Sequence, residues 1–171
     1  MLSRREAATL AGVRAREEQF RAFYAQEYPA LARYAYKLVQ DADLAHDLAQ
    51  EAFGRTYGRW VTVVEPRAYL YGVATNLARR TWRTRAREEQ LVAQLRARRQ
   101  EAEPSQDGAV VLRASVMGIP ARLRDVVLLH YFADLSVTQV AEALGRPAGT
   151  VKRQLSEARS LLAVALGGDD A

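Results

Sequence analysis

The chain has no cysteine, which excludes disulfides and thiolate metal sites and leaves nothing that argues for export. It has only two histidines. Asp43, His46 and Glu51 are spaced like one ligand set of a carboxylate-bridged metal site, but such sites need several Glu-x-x-His-type sets from facing helices. No second set exists, so neither a metal nor any other cofactor is expected. No apolar run approaches the ~20 residues of a membrane span, and the N-terminus lacks the apolar core of a signal peptide. There is no phosphate-cradling glycine loop, no nucleophile–base pairing, no repeat and no low-complexity tract, which argues against an enzyme. Lysine is scarce too: of 25 basic residues, all but Lys37 and Lys152 are arginine. The expectation is a soluble cytoplasmic protein with no membrane insertion.

What is present is a hydrophobic fraction of 49% over 171 residues, enough to bury a core and too much for a disordered chain. The formal charge of +5 and the pI near 9.8 suit a nucleic-acid partner without proving one. Proline, glycine and acidic residues gather at "EAEPSQDGA", Glu101 to Ala109, a tether signal. Charge divides around it. Residues 15–88 hold 12 basic and 9 acidic side chains and residues 109–166 hold 7 and 4, so each block is net +3. The organisation predicted is therefore a domain over 15–88, a linker over 89–108 and a second domain over 109–166.

Nearly everything has helical periodicity, so the fold class is all-α: two small helical domains, an N-terminal bundle and a C-terminal helix-turn-helix, joined by a flexible linker. Phe23, Tyr24, Leu31, Tyr34, Ala35 and Leu38 keep helical spacing, with Pro29 expected to kink or restart the helix. Asp41 and Asp43 stand where a cap belongs before "LAHDLAQEAFGRTYGRW", and Gly58 is expected to break that helix. "VTVVE" is β-prone but short and without a partner, hence a loop. Pro66 suits the first turn of the next helix, with Glu65 at its cap. That helix is predicted to run through "TNLARRTWRTRAR" and to continue into "EEQLVAQLRARRQ". The opening "REAATLAGVRAREEQ" extends the first helix.

The most specific signal is "LSVTQVAEALGRPAGTVKRQLSEARSLL". Ser136 and Gln139 have the spacing of a capping box. Val140, Ala141 and Leu144 face inward, Gly145 suits the left-handed residue that ends a helix, and Pro147 begins the next. Val151, Leu155, Ala158 and Leu162 line the buried face of the second helix. Two helices joined around a glycine make a helix-turn-helix whose second helix enters a major groove. Lys152, Arg153, Ser156 and Arg159 point outward, with Thr150 and Arg146 near its start. A helical hairpin with solvated charges is the alternative.

In the N-terminal block, Leu70, Val73, Ala74 and Leu77 share one helix face. Gly72, Asn76, Arg79, Arg83 and Arg87 share the opposite one, and Tyr71 and Trp82 fall on a flank. Charge for phosphates and π-faces for unpaired bases are what single-stranded DNA needs. Packing at the edge of the core is the first reading for both aromatics. Five arginines in the nine residues Arg79 to Arg87 repel one another unless something anionic relieves them. Asp43, Asp47, Gln50 and Glu51 make an acidic face, which would repel DNA and so meets a protein. His130, in "VVLLHYF", is expected to be a satisfied core-edge residue.

Taken in order, these pieces resemble an RNA polymerase sigma factor of the extracytoplasmic-function (ECF) type, over roughly Phe20 to Ala165. "YPALARYAYKLVQDADLAHDLAQEAFGRTY" is similar to the family's core-polymerase-binding region. "PRAYLYGVATNLARRTWR" is similar to its region for melting and reading the minus-ten element, and the stretch from Ile119 to Leu162 to its minus-thirty-five region. The resemblance implies that Asp47, Leu48, Gln50, Glu51 and Phe53 dock on core RNA polymerase. It implies that the loop Val61, Thr62, Val63, Val64 and Glu65 captures a base flipped from the melted non-template strand, with Asn76, Arg79, Arg80 and Arg83 beside it on promoter DNA. It implies that Arg146, Thr150, Lys152, Arg153, Ser156 and Arg159 meet the minus-thirty-five duplex. An anti-sigma protein is a partner common in the family.

The recognition helix departs from the family's pattern, in which arginines commonly occupy the positions of Gln154 and Glu157. With both facing the groove, two phosphate contacts are lost and one repulsion appears, so the C-terminal domain binds weakly by itself. A free-standing helix-turn-helix regulator is the first alternative, and it leaves the acidic and arginine-rich helices unexplained together. A helical adaptor that binds only protein would not need the capped recognition pattern.

Overall fold

The computed structural model of the chain describes residues 4–96, 116 and 118–166. Three long helices come first: α1 (Arg4–Val39), α2 (Ala42–Arg59) and α3 (Pro66–Arg96). After them come α4 (Ala121–Val127), a π-helical turn (Leu128–Phe132), α5 (Val137–Leu144) and α6 (Ala148–Leu166). No strand occurs among the described residues. The tether signal at Glu101 to Ala109 lies outside them, and so does the acidic end "GGDDA". Helix α3 extends through Arg96, into the stretch expected to be linker.

Helices α1 and α3 lie side by side with α2 against both, and all three bury their apolar stripes in one core. Leu31, Tyr34 and Leu38 meet Ala45, Ala49 and Phe53 of α2 and Leu70, Tyr71 and Ala74 of α3. The small residues of α2 let it approach closely, as alanines at helical spacing should. Tyr34 is buried, and its hydroxyl lies 2.7 Å from Thr75 Oγ1. Thr75 donates to the Tyr71 carbonyl, so the Tyr34 O–H is the donor to Thr75. Burial pushes the Tyr34 phenol far above its usual range. Trp82 is buried, and its indole N–H donates to the Leu38 carbonyl at 2.9 Å. Both aromatics on the α3 flank, Tyr71 and Trp82, are therefore part of the core.

One local expectation, a restart at Pro29, differs from the fold. Helix α1 passes through Pro29 without a break. Proline removes one backbone donor, but Tyr24, Tyr28, Leu31 and Tyr34 hold both neighbouring turns against the other helices. Gly58 lies inside the last turn of α2, which ends one residue later. Other signals are as expected. Asp41 caps α2 by accepting from the Leu44 N–H at 3.0 Å, and this bond, followed by Arg85, holds its carboxyl below the usual carboxylate value.

The C-terminal domain packs Leu123, Val126, Val127, Leu129, Val140, Val151, Leu155 and Ala158 into its interior. Ser136 and Gln139 form both bonds of the capping box. Gly145 has φ 60°, the left-handed conformation that a Cβ would oppose. The π-helical turn was not readable from periodicity. It brings His130 Nδ1 to 2.7 Å from the Leu135 carbonyl, so that nitrogen carries the proton and the ring is satisfied at the core edge.

Two stability predictions follow from these bonds. Tyr34→Phe removes a buried donor and is expected to cost about 1 kcal/mol; an unchanged urea midpoint would contradict the bond. Ser136→Ala removes the α5 cap and is likewise expected to cost about 1 kcal/mol. Ser136→Asp keeps an acceptor there and should recover most of that loss in the same assay.

Candidate functional surfaces

Helix α2 sorts the five residues singled out at the polymerase contact into two sets. Asp47, Gln50 and Glu51 are exposed, while Leu48 and Phe53 are buried. The helical period requires this: Leu48 and Phe53 point into the core that fixes α2, and the three polar side chains stand on its outer face. Glu51 forms an ion pair with Arg55 one turn on. His46 Nδ1 bonds the Tyr28 hydroxyl at 2.8 Å, and no group of metal-ligating side chains occurs among the described residues.

Where α2 ends, Phe20, Phe23, Tyr57 and Trp60 cluster, with Phe20 edge to face against Tyr57 and Trp60 and the Phe20 and Trp60 centroids 5.1 Å apart. This cluster anchors the loop between α2 and α3. Thr62 and Val63 both donate backbone N–H groups to the Arg59 carbonyl, a tight turn that throws the next side chains outward. Val61 is 66% exposed and Val64 83%; Val63 is half-buried, and Glu65 is exposed with its carbonyl accepting from Tyr69 at the start of α3. Two valines so open to water form a small apolar spot on the loop.

The arginine run of α3 divides in the same way. Arg85 reaches back to the α1–α2 turn, donating to the Val39 carbonyl and Asp41 at 3.1 Å each. Arg79 donates to Asp125 Oδ2 of α4 at 2.9 Å. Asn76, Arg80, Arg83 and Arg87 are exposed. Gly72 and Arg79 were expected on an open face, but Gly72 is buried and Arg79 is engaged, because the C-terminal domain lies on that part of α3.

On α6, Lys152, Arg153, Ser156 and Arg159 are exposed and Thr150 is half-buried. Arg146 is turned inward: it donates to the Arg122 carbonyl at 3.0 Å and to Gln154 Oε1 at 3.1 Å. Gln154 is buried at 9% exposure, so it does not face a groove, and the expectation of two missing contacts reduces to one. Glu157 pairs with Arg122 across to α4.

Asp125 joins these surfaces and was not singled out from the sequence. Its side chain is 6% exposed, with Arg79 on one side and Arg146 Nη2 at 3.9 Å on the other. Burial pushes its carboxyl above the usual value of 3.8, and the guanidiniums of Arg79, Arg146, Arg124 and Arg83 pull it part of the way back. The available signal was one acid between Leu123 and Val126, at a register where apolar residues point inward. Arg67 was missed as well. It donates to Glu27 at 3.3 Å and to the Ala133 carbonyl at 3.2 Å.

Comparison with known proteins identifies two regions of the chain. The family description "Sigma-70 region 2" matches residues 23–88, and "Sigma-70, region 4" matches residues 110–162. The RNA polymerase sigma-E factor of Streptomyces coelicolor is 36% identical over 148 residues, which cover 84% of each chain. The ECF RNA polymerase sigma factor SigW of Bacillus subtilis is 26% identical over 145 residues, covering 74% of this chain and 78% of SigW. In fold, the chain is similar to the sigma factor RpoE of Bartonella quintana, solved with the anti-sigma factor NepR. The TM-score there is 0.61 at 24% identity, over 89% of this chain and 99% of that one. With both regions matched in order over most of its length, the chain belongs to the sigma-70 family, as an RNA polymerase sigma factor of the ECF type.

Proposed function

We propose that this sigma factor docks on core RNA polymerase through the outer face of α2 and reads promoter DNA with α3, its preceding loop and α6. The observation that carries this division is the sorting of charge on one rigid bundle. Acidic Asp47 and Glu51, with Gln50, are exposed on α2, and Arg80 and Arg83, with Asn76, are exposed on α3. An acidic face repels the phosphate backbone and a basic one attracts it, so one helix suits a protein and the other DNA.

On this reading, Leu48 and Phe53 act from inside by fixing α2. The loop from Val61 to Glu65 receives a base flipped from the non-template strand. Its exposed valines offer apolar contact that offsets the few kcal/mol of unstacking such a step costs. Lys152, Arg153, Ser156 and Arg159, with Thr150, meet the minus-thirty-five duplex, and Arg79 and Arg146 belong to the same surfaces once their internal partners release them. The working units are a polymerase and minus-ten domain at 15–88, a linker at 89–108 and a minus-thirty-five domain at 109–166. Sigma factors are initiation factors rather than catalysts, and no chemical step is assigned to this chain. No helix among the described residues is long and apolar enough to cross a membrane, in keeping with work in the cytoplasm beside the polymerase. An anti-sigma protein, such as the one bound to the Bartonella relative, fits the same reading.

Run-off transcription on promoter fragments with bacterial core polymerase tests the whole. Specific transcripts should appear only with the protein added, and Arg80→Ala with Arg83→Ala should abolish most of them. Transcripts independent of the protein, or indifferent to both changes, would contradict the assignment. Asp47→Lys with Glu51→Lys should abolish co-purification with core while leaving thermal stability near that of the parent. For α6, Glu157→Arg adds one phosphate contact, which should steepen the salt dependence of duplex binding by about 0.9 in log–log slope. Gln154→Arg, placed on the inward side, should not steepen it.

A further inference from the structure

The bundle has one end that neither the outer face of α2 nor the arginines of α3 account for. Helix α1 begins at Arg4, about 24 Å before Phe20, and residues 11–19 are exposed throughout. Phe20 is where α1 first joins the core among the described residues. Its ring lies 5.1 Å from Trp60, and the Phe23 ring lies 5.0 Å from the same indole. Trp60 leads directly into the loop from Val61 to Glu65, so that loop starts beside the point where α1 leaves the bundle. Of the large apolar side chains exposed among the described residues, half belong to this end: Val13, Tyr57, Val61 and Val64.

The helical period divides charge on this projecting segment as it does on the bundle. Arg16, Phe23 and Glu27 stand at i, i+7 and i+11, which is one flank of α1, and Glu27 on that flank meets Arg67 at the start of α3. Glu17, Tyr24 and Tyr28 keep the same spacing on the neighbouring flank, where Tyr28 meets His46 of α2. Arg16 is therefore on the loop side and Glu17 on the acidic α2 side. Arg16 is also one turn before Phe20, about 6 Å along the axis, which puts its guanidinium within reach of Trp60 and Val61. Val13, a further turn back on the same face, is 42% exposed. A cation beside an indole and open valines is the combination that holds an unpaired nucleotide, charge for its phosphate and apolar surface for its base. A duplex, with its bases stacked inside, would use only the cation.

We propose that this end of the bundle is a second contact for the melted non-template strand, in which Arg16 holds a phosphate and Val13, with Trp60 and Val61, covers the nucleotide next to the flipped base. The proposal rests on the assignment of the Val61 to Glu65 loop to that base. From the loop, α3 runs beside the later half of α1, with Arg67 at Glu27 and Trp82 at Leu38, and carries Arg80 and Arg83 that way. The start of α1 projects the opposite way. The strand is thus held on both sides of the position where its base turns out.

Fluorescence anisotropy of the full chain with a labelled single-stranded DNA of mixed sequence, and with the same sequence as a duplex, tests this contact. Arg16→Ala should weaken single-strand binding about threefold or more and lower its log–log salt slope by about 0.7, the value for one phosphate contact on a single strand. Duplex binding should not change. Val13→Ser should weaken single-strand binding with the slope unaltered. Glu17→Gln, on the other flank, should stay within about twofold of the parent. An equal loss on duplex from Arg16→Ala, or a gain from Glu17→Gln as large as that loss, would mean general charge rather than a site and would overturn the contact. Indifference to Arg16→Ala or to Val13→Ser, while a Val61→Ser, Val64→Ser variant loses single-strand binding, would overturn it and leave the loop assignment standing. Indifference to the loop changes, or a parent chain that binds no single strand, would overturn the loop assignment on which the contact rests.

Discussion

Helix α3 is covered on two sides by different means, and the rest of the molecule is arranged around that constraint. One side buries Leu70, Tyr71, Ala74, Leu77 and Trp82 against α1 and α2. At about 1.5–3 kcal/mol for each large apolar side chain, that side is committed. The other side meets the C-terminal domain through carbonyls accepting from Arg67, a bare glycine hydrogen and an ion pair whose arginine side chain remains 32% exposed. The carboxylate of that pair is itself buried, at 6% exposure. The same helix thus packs on its own bundle through apolar side chains and on its neighbour through polar groups as well.

That second side is also where part of the arginine run is engaged. Of the arginines between Arg79 and Arg87, Arg85 is used to close the α1–α2 turn through Asp41 and the Val39 carbonyl. Arg79 is used by Asp125. What remains exposed, Arg80, Arg83 and Arg87, is a smaller basic surface than the run suggests. In the helix-turn-helix domain Gln154 and Asp125 hold Arg146, and Glu157 engages Arg122. Both surfaces proposed for DNA are therefore partly neutralised from within the chain.

Much of this was legible in the residues themselves. The capping box at Ser136 and Gln139, the left-handed Gly145, the cap at Asp41 and the apolar stripes are local rules, and local rules can be read one helix at a time. Pro29 does not restart its helix, for the opposite reason, since packing by residues far along the chain outweighs its local cost. The inward turn of Gln154 and the covering of Gly72 were not legible at all. Periodicity tells which side of a helix is apolar; it does not tell which polar side another domain covers. Asp125 was the one hint, an acid at an inward register, and its partner lies 46 positions away.

The central claim is that one bundle presents a protein-binding face on α2 and a DNA-binding face on α3. Site-specific photocrosslinking in the assembled promoter complex tests it most directly, with a benzophenone amino acid placed at Gln50 in one sample and at Arg87 in another. The account predicts that the α2 probe crosslinks to a polymerase subunit and the α3 probe to promoter DNA. Crosslinks to DNA from position 50, or only to protein from position 87, would contradict it.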